Sequence, residues 1–395
     1  MPATKVDNSD TRGNNTGSQH RPCGRTTNND NGEPIDHTST MAEGVRCMIM
    51  RGGSSKGAYF VASDLPDDPA DRDRMLLAIM GSPDARQIDG IGGAHPLTSK
   101  VAIVAPAASQ DCDVDYLFLQ VGVDQAMVGD RQNCGNLLAG VGPFALERGL
   151  IDPVEGQVRV RVRMLNTASI AVATFAAHAG LPMYAGTTAI SGVPGTAAPI
   201  SLDFEDIAGS STGALLPTGE LIDTIAGIDA TLVDNGMPVV VLRADDLGVT
   251  GYETCAGLEA NAGLRSRLEE IRIEAGRRMN LGDVTDTTVP KLTLVAPPRH
   301  GGSLSTRTFI PHRCHDAIGV LGAISVATAA LLPGTPANQM LAHGTAATVG
   351  LEHPTGTFEA VVEVREKNGA PIIERAGIVR TARKLMDGVV FPRSD

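Results

Sequence analysis

QNCGNLLAGVGPFALERGL, residues 132–150, carries no charged side chain between Asn133 and Leu146. A helix that is apolar almost all the way round has no face to give to water, so other elements must surround it. Strand-like segments flank it. VAIVA (101–105) and VDYLFLQVGV (114–123) precede it, and VRVRVRML (158–165) and SIAVATF (169–175) follow as a hairpin. These runs alternate or are rich in Val, Ile, Phe and Tyr, as strands are. The simplest arrangement wraps a curved mixed sheet around one central helix. A second feature lies at its start. Cys134 sits where the helix begins, flanked by Asn133, Gly135 and Asn136. Unpaired backbone N–H groups and the positive end of the helix dipole stabilise an anion there. Free cysteine is usually a small buried hydrophobe, but polar and permissive neighbours at a helix start suit an exposed thiol better.

The same order of elements comes twice. VRCMIM (45–50) and GAYFVA (57–62) read as strands split by a turn at 51–56, followed by Asp64-Leu65 and a helix near 69–80. In the second half MPVVVL leads to Asp246-Leu247, then to a helix with Leu264, Leu268, Ile271 and Ala275 on one face. Strands follow at KLTLVA (291–296) and 303–309. A second charge-free run, Ala317 to Ala330, is read as a helix starting at His315, and the hairpin ATVGLEH and FEAVVEV comes after it. Asp64 to Asp246 is 182 residues and Cys134 to Cys314 is 180, so an internal duplication is expected. The two helix starts would then face each other across a cleft and form an anion site. The fold class is α/β (α+β), with a first domain at 41–220 and a second at 221–395 whose last strand returns to the first.

The remainder of the chain bounds the function. Residues 1–40 are polar, almost without large apolar side chains, and read as a disordered tail in which His20 and Cys23 are incidental. The 395 residues carry a net charge of −12, which argues against a nucleic-acid binder. Six separated cysteines without a CxxC pair, no signal-peptide core and no membrane-length apolar run indicate a cytoplasmic protein with free thiols. A homo-oligomer is compatible with all of this.

Several cations lie in Gly/Ser/Thr-rich loops: Arg51 and Lys56 in MRGGSSKG, Arg86, Lys100 in PLTSK, and Arg307 and Arg313 in STRTFIPHRCH. Glycine-rich loops let backbone and cations approach a ligand closely, so a small polycarboxylate is the expected substrate. MRGGSSKG is not a phosphate loop, because Gly57 follows Lys56. His312-Arg313-Cys314-His315 is too tight for one tetrahedral zinc, so no metal is expected.

Taken together, MRGGSSKGAYF, DLPDDPADRDRMLLAIMGSPDARQIDGIGG, LTSKVAIV, QNCGNLLAGVGPFALERGL, DNGMPVVVL, MNLGD and FIPHRCHDAIGVLGAISVATA resemble the family of 2-methylaconitate cis–trans isomerases and 4-oxalomesaconate tautomerases. The resemblance spans about residues 45–392, and ALLPTG, TGYE and MNLGDV are most similar to the tautomerase branch of gallate breakdown. It implies a diaminopimelate-epimerase-like fold and proton transfer without cofactor or metal, with Lys100 and Cys134 at the acid/base positions. The epimerases place a second cysteine at the other helix start. Here the resemblance puts His315 there, with Cys314 beside it, which implies unlike proton-transfer groups. Arg51, Ser54, Ser55, Lys56, Ser99, Asn133, Gly135, Asn136 and Arg307 are the expected substrate-binding residues. The expected reaction is keto–enol tautomerisation of 4-oxalomesaconate. The alternatives are double-bond isomerisation of 2-methylaconitate or a related tricarboxylate, and non-catalytic tricarboxylate binding.

Overall fold

The computed structural model of the chain describes residues 44–130, 134–342 and 348–393. The expected tail at 1–40, with His20 and Cys23, and the expected ligand residue Asn133 lie outside the described residues. The fold opens with a hairpin of β1 (Val45–Gly52) and β2 (Ser55–Val61). Its turn is tighter than the sequence suggests. Pairing continues to Gly52 opposite Ser55, leaving only Gly53 and Ser54 to reverse the chain. Gly53 has φ +51, where a residue without Cβ is least strained. Helix α1 (Pro69–Met80) is N-capped by the Asp68 carboxylate and ends on the left-handed Gly81. It buries Leu76, Ile79 and Met80 against Phe60, Val101 and Ile103.

Strand β3 (Lys100–Pro106) runs parallel to β2, and β4 (Val114–Val121) returns antiparallel. The short β5 (Val128–Gly129) pairs with the end of β4. Helix α2 (Gly135–Glu147) follows, then β6 (Gly156–Met164), parallel to β4. Strands β7 (Ser169–His178), the short β8 (Leu181–Pro182) and β9 (Pro199–Phe204) complete this part.

The second part repeats the pattern. It comprises β10 (Asp223–Ile225), β11 (Ile228–Asp234), β12 (Pro238–Arg243), α3 (Cys255–Ala260) and α4 (Ala262–Arg278). Strands β13 (Lys291–Ala296) and β14 (Leu304–Phe309), helices α5 (Val320–Leu331) and α6 (Pro336–Met340), and β15 (Thr348–His353) and β16 (Gly356–Lys367) follow. β12–β13 and β14–β15 are parallel and their neighbours antiparallel, as are β2–β3 and β4–β6 with theirs.

The last strand, β17 (Ala370–Val390), joins the two parts. It pairs with β16 through residues 370–378, with β9 through 377–381 and with β1 through 382–390. Strands β1, β2, β3, β4, β6, β7, β9 and β17 therefore close into a ring. Helix α2 runs inside this ring and touches every one of its strands. That is why Leu137 to Leu146 are all buried. Burying Leu137, Leu138, Val141, Phe144 and Leu146 contributes on the order of 10 kcal/mol before chain entropy is subtracted. Helix α5 packs against β11, β12, β15, β16, β17 and α6.

One expected boundary moves. Helix α5 starts at Val320, with Gly319 as N-cap, not at His315. The backbone at 314–315 is already committed to β14. Cys314 bridges Phe309, and the His315 N–H donates to the Thr308 carbonyl at 2.8 Å. No described helix is long and apolar enough to cross a membrane.

The glycines of α2 are spacing elements. A Cβ on Gly140 would lie 2.5 Å from the Tyr59 hydroxyl oxygen, which itself donates to the Leu137 carbonyl at 2.6 Å. Gly→Ala inside a helix ordinarily stabilises by up to ~1 kcal/mol. Here Gly140→Ala is expected to destabilise by roughly 1–3 kcal/mol through overpacking, read as a lower urea midpoint.

Candidate active site

Strand periodicity sorts the expected site residues between two faces. Met48, Met50, Tyr59, Ala102, Tyr116 and Phe118 point inward onto α2, whereas Cys47, Ala58, Phe60, Val101 and Ile103 point outward to α1. By that register Ser55, Lys100 and Gln120 are inward positions at the end of the barrel where α2 begins. Arg51 and Lys56 fall on the outward face. Arg51 is anchored there, its Nη1 donating to the carbonyls of Gly53 (2.7 Å) and Thr381 (3.0 Å) and to the Thr381 hydroxyl. The Arg51 charge nonetheless acts on the inward Tyr59 hydroxyl, which donates to the Leu137 carbonyl in the first turn of α2. The turn at Gly53–Ser54 does not change the parity of the strands it joins.

Lys100 is buried and its Nζ donates to Gln120 Oε1 at 2.6 Å, 5.0 Å from the centre of the Phe118 ring. The Gln120 amide is fixed in turn by the carbonyls of Ser99 (2.8 Å) and Pro96 (3.1 Å). Ser99 is a scaffold here. It is fully buried and its hydroxyl accepts from the Gln87 amide at 2.8 Å.

Cys134 is the N-cap of α2, half-buried and extended at φ −124, ψ 96, and its own side chain caps nothing. The Tyr116 hydroxyl reaches its carbonyl at 3.5 Å. Tyr116 and Phe118 are successive inward positions of one strand, ~7 Å apart. The Tyr116 hydroxyl reaches the Cys134 backbone and the Lys100 ammonium lies over the Phe118 ring, so both groups contact inward side chains of β4. Burial pushes the Tyr59 and Tyr116 hydroxyls well above the usual phenol range, and the neighbouring Cys134 pushes the same way. Both stay neutral hydrogen-bond donors. Asn136 Nδ2 donates to Ser54 Oγ at 3.3 Å and contacts Ser55 Oγ at 3.5 Å. Gly53 is required beside them, since its Cβ would stand 2.2 Å from Asn136 Oδ1.

The two helix starts meet. A Cβ on Gly135 would be 3.0 Å from Val320 Cγ2, so the first residues of α2 and α5 are in contact range. Around them the second part contributes histidines. His315 is half-buried, with Nδ1 accepting from the Ala317 N–H at 2.8 Å. Burial lowers its pKa, Asp316 opposes and Lys291 adds to the lowering. His353, on β15, is pushed down to about 4, first by burial and further by the positive charges of His315, Arg307 and Arg380. A loop links the two parts. Gly192 comes near Ser54, and Ser191 Oγ accepts from the Thr357 N–H at 2.9 Å beside His353. The Thr355 hydroxyl donates to the Asp316 carbonyl at 2.8 Å and holds the His315 segment to the same hairpin.

Arg307 is buried on β14, with Nε donating to the Glu253 carbonyl and Nη1 to the Thr306 carbonyl, each at 2.8 Å. Arg86 and Arg313 are exposed. Sequence reasoning passed over Gln120, His353, Lys291 and Arg380. Gln120 was accessible from the alternation that already placed Phe118 inward. Lys291 opens β13 as Lys100 opens β3, so the repeat pointed to it. Nothing local marks His353 or Arg380. Among the described residues no cluster of three metal-ligating side chains occurs. A cavity of about 880 Å³ lies elsewhere, around Arg159, Asp203, Glu205, Glu363 and Arg375, where Arg375 pairs with Asp203 and Glu363, and Glu205 pairs with Arg161.

The arrangement suits proton transfer on a small anion. It offers a thiol and an ammonium at one helix start, a neutral histidine near the other, and unpaired N–H groups from both. Proteins of similar sequence are named as isomerases and tautomerases. The family model described as PrpF protein matches residues 43–393. The (4E)-oxalomesaconate Delta-isomerase of Novosphingobium sp. (strain KA1) is 58% identical over 347 residues, covering 87% of this chain and 96% of that protein. The 4-oxalomesaconate tautomerase of Pseudomonas putida is 56% identical over 353 residues, covering 88% and 95%. A crystal structure of methylitaconate-delta-isomerase superposes with a TM-score of 0.80 at 36% identity, over 89% of this chain and 96% of that one.

The depressed histidines have a consequence for stability. Folded His353 takes up a proton only near pH 4, whereas an ordinary histidine does so near 6.5. Below pH 6.5 the unfolded chain binds more protons, so stability falls as pH drops from 6.5 towards 4. The term is roughly 2 kcal/mol once partial exposure is allowed for, and His315 acts in the same direction. His353→Gln is expected to flatten this slope in urea titrations at pH 7 and pH 4.5.

Proposed function

This chain belongs to the PrpF protein family, and from that premise we propose that it is an isomerase that interconverts the keto and enol forms of 4-oxalomesaconate. The observation that carries the reading is Lys100. It is a buried ammonium with a neutral amide as its hydrogen-bond partner, at the mouth where Cys134 begins α2. Among the described residues no carboxylate pairs with this lysine, so its charge is available to an anionic substrate.

The chemistry needs those two groups. One of Lys100 and Cys134 removes the proton from the carbon next to the ketone. The C–H electron pair becomes the new C=C bond, and the carbonyl π electrons move to oxygen. The other group delivers a proton to that oxygen, so one C–H bond is broken and one O–H bond is made. The backbone N–H groups at 135–137, together with Ser54, Ser55 and Asn136, hold the developing enolate and an adjacent carboxylate. His315 lies at the far side as a neutral ring, suited to accept or return a proton. The reaction calls for no electron transfer and no group carrier, and the reading assigns it no cofactor. The five described cysteines are all free thiols, which supports a cytoplasmic setting. The support from relatives is the 58% and 56% identity to proteins named for 4-oxalomesaconate.

Cys134→Ser and Lys100→Ala are each expected to lower kcat at least ~100-fold when enol absorbance of 4-oxalomesaconate is followed. Near-normal turnover in both variants overturns the assignment. Product NMR with 2-methylaconitate under the same conditions separates this reading from that of a double-bond isomerase, which would turn over 2-methylaconitate faster.

A further inference from the structure

Arg380 is nine-tenths buried, and among the described residues its one hydrogen bond is from Nη1 to the neighbouring Val379 carbonyl at 3.1 Å. The guanidinium stacks on Phe358, 4.0 Å from the ring centre. Among the described residues no carboxylate pairs with it. The acid that influences it most is Glu359, next to Phe358 and therefore on the opposite, exposed side of β16. A buried, uncompensated charge is costly, and this chain shows the ordinary remedy elsewhere. Fully buried Arg272 is neutralised by Glu269 through two bonds of 2.7 and 2.8 Å and also reaches four main-chain carbonyls. Arg380 has neither device. Burial pulls its pKa down to about 10, which leaves it cationic at neutral pH.

Its place in the fold says where the missing anion belongs. Ala376, Ile378 and Ala382 of β17 face the core, so Arg380 does too. Ala382 pairs with Gly52, and a Cβ on Gly52 would touch the Asn136 carbonyl at the start of α2. Two residues earlier, Arg380 reaches Phe358 and acts on His353. The guanidinium thus stands on the strand shared by both parts, between the mouth that holds Cys134 and the one that holds His353.

We propose that Arg380 is a specificity-determining residue, whose guanidinium takes the substrate carboxylate furthest from Cys134. The inference rests on the polycarboxylate reading of the same site. It makes the protein prefer three carboxylates to two, because the α2 start and the Lys100 ammonium take two and leave Arg380 unpaired unless the ligand carries a third.

The test uses the full chain and two unreactive probes, tricarballylate with three carboxylates and glutarate with two, measured by calorimetry. Arg380→Gln is expected to weaken tricarballylate about 30-fold while changing glutarate less than about threefold. Unaltered tricarballylate affinity in Arg380→Gln, or no tricarballylate binding by the wild type, overturns the proposal. Equal losses for both probes also overturn it, since they indicate a structural role. If Arg380→Gln does not fold, Arg380→Lys is read in its place. There a loss of about fivefold for tricarballylate at unchanged melting temperature supports the proposal, and an unchanged affinity overturns it. Calorimetry needs no turnover. A wild type that binds tricarballylate through Arg380 but does not tautomerise 4-oxalomesaconate sinks the reaction and leaves this inference standing.

Discussion

The structure depends on one constraint, the enclosure of a charge-free helix. Helix α2 has no polar face to present to water, and the eight strands that close around it supply the only environment in which it is stable. Closure also leaves no free sheet edge within that ring. The N-terminal N–H groups of α2 cannot be satisfied inside the barrel, because a helix leaves its first donors unpaired. They are therefore held at a mouth. An apolar surround and an unsatisfied helix end together make an anion site, and the thiol of Cys134 stands in it. Helix α5, packed in the second part, brings another such end to within contact of the first at Gly135 and Val320.

Three kinds of cation must be distinguished in a chain of net charge −12. Arg272 and Arg148 are structural, paired with Glu269 and Asp387. Arg51 and Arg307 are partly committed to main-chain carbonyls. Lys100 and Arg380 are buried on inward faces with a neutral amide or a single carbonyl as partner. The third kind is the costly one to maintain.

Much of this was legible in the residues. The apolar run at 132–150, the hairpins either side of it and the repeat of element order predict sheets wrapped around helices. The family resemblance directs attention to Lys100 and Cys134. Other parts were not legible for identifiable reasons. The charge-free run that follows His315-Asp316 points to a helix starting at His315, whereas hydrogen bonds to β14 hold residues 314–315 and delay the helix to Val320. The register of the first hairpin puts Ser55 inward and Arg51 and Lys56 at the alternate positions. In a hairpin that tight, adjacency means opposite faces.

The sequence by itself determined what must be buried and what kind of chemistry a thiol and a lysine near glycine-rich turns can do, because periodicity and side-chain type are local properties. Only the tertiary structure decided which cations belong to the site. That depends on strand parity and on β17, whose 21 residues pair with β16, β9 and β1 in turn. Arg380 and His353 are 246 and 219 residues from Cys134 in the chain (380 − 134 and 353 − 134). Their proximity to one another follows from the pairing of the sheet, and no pattern within a window of sequence carries that information.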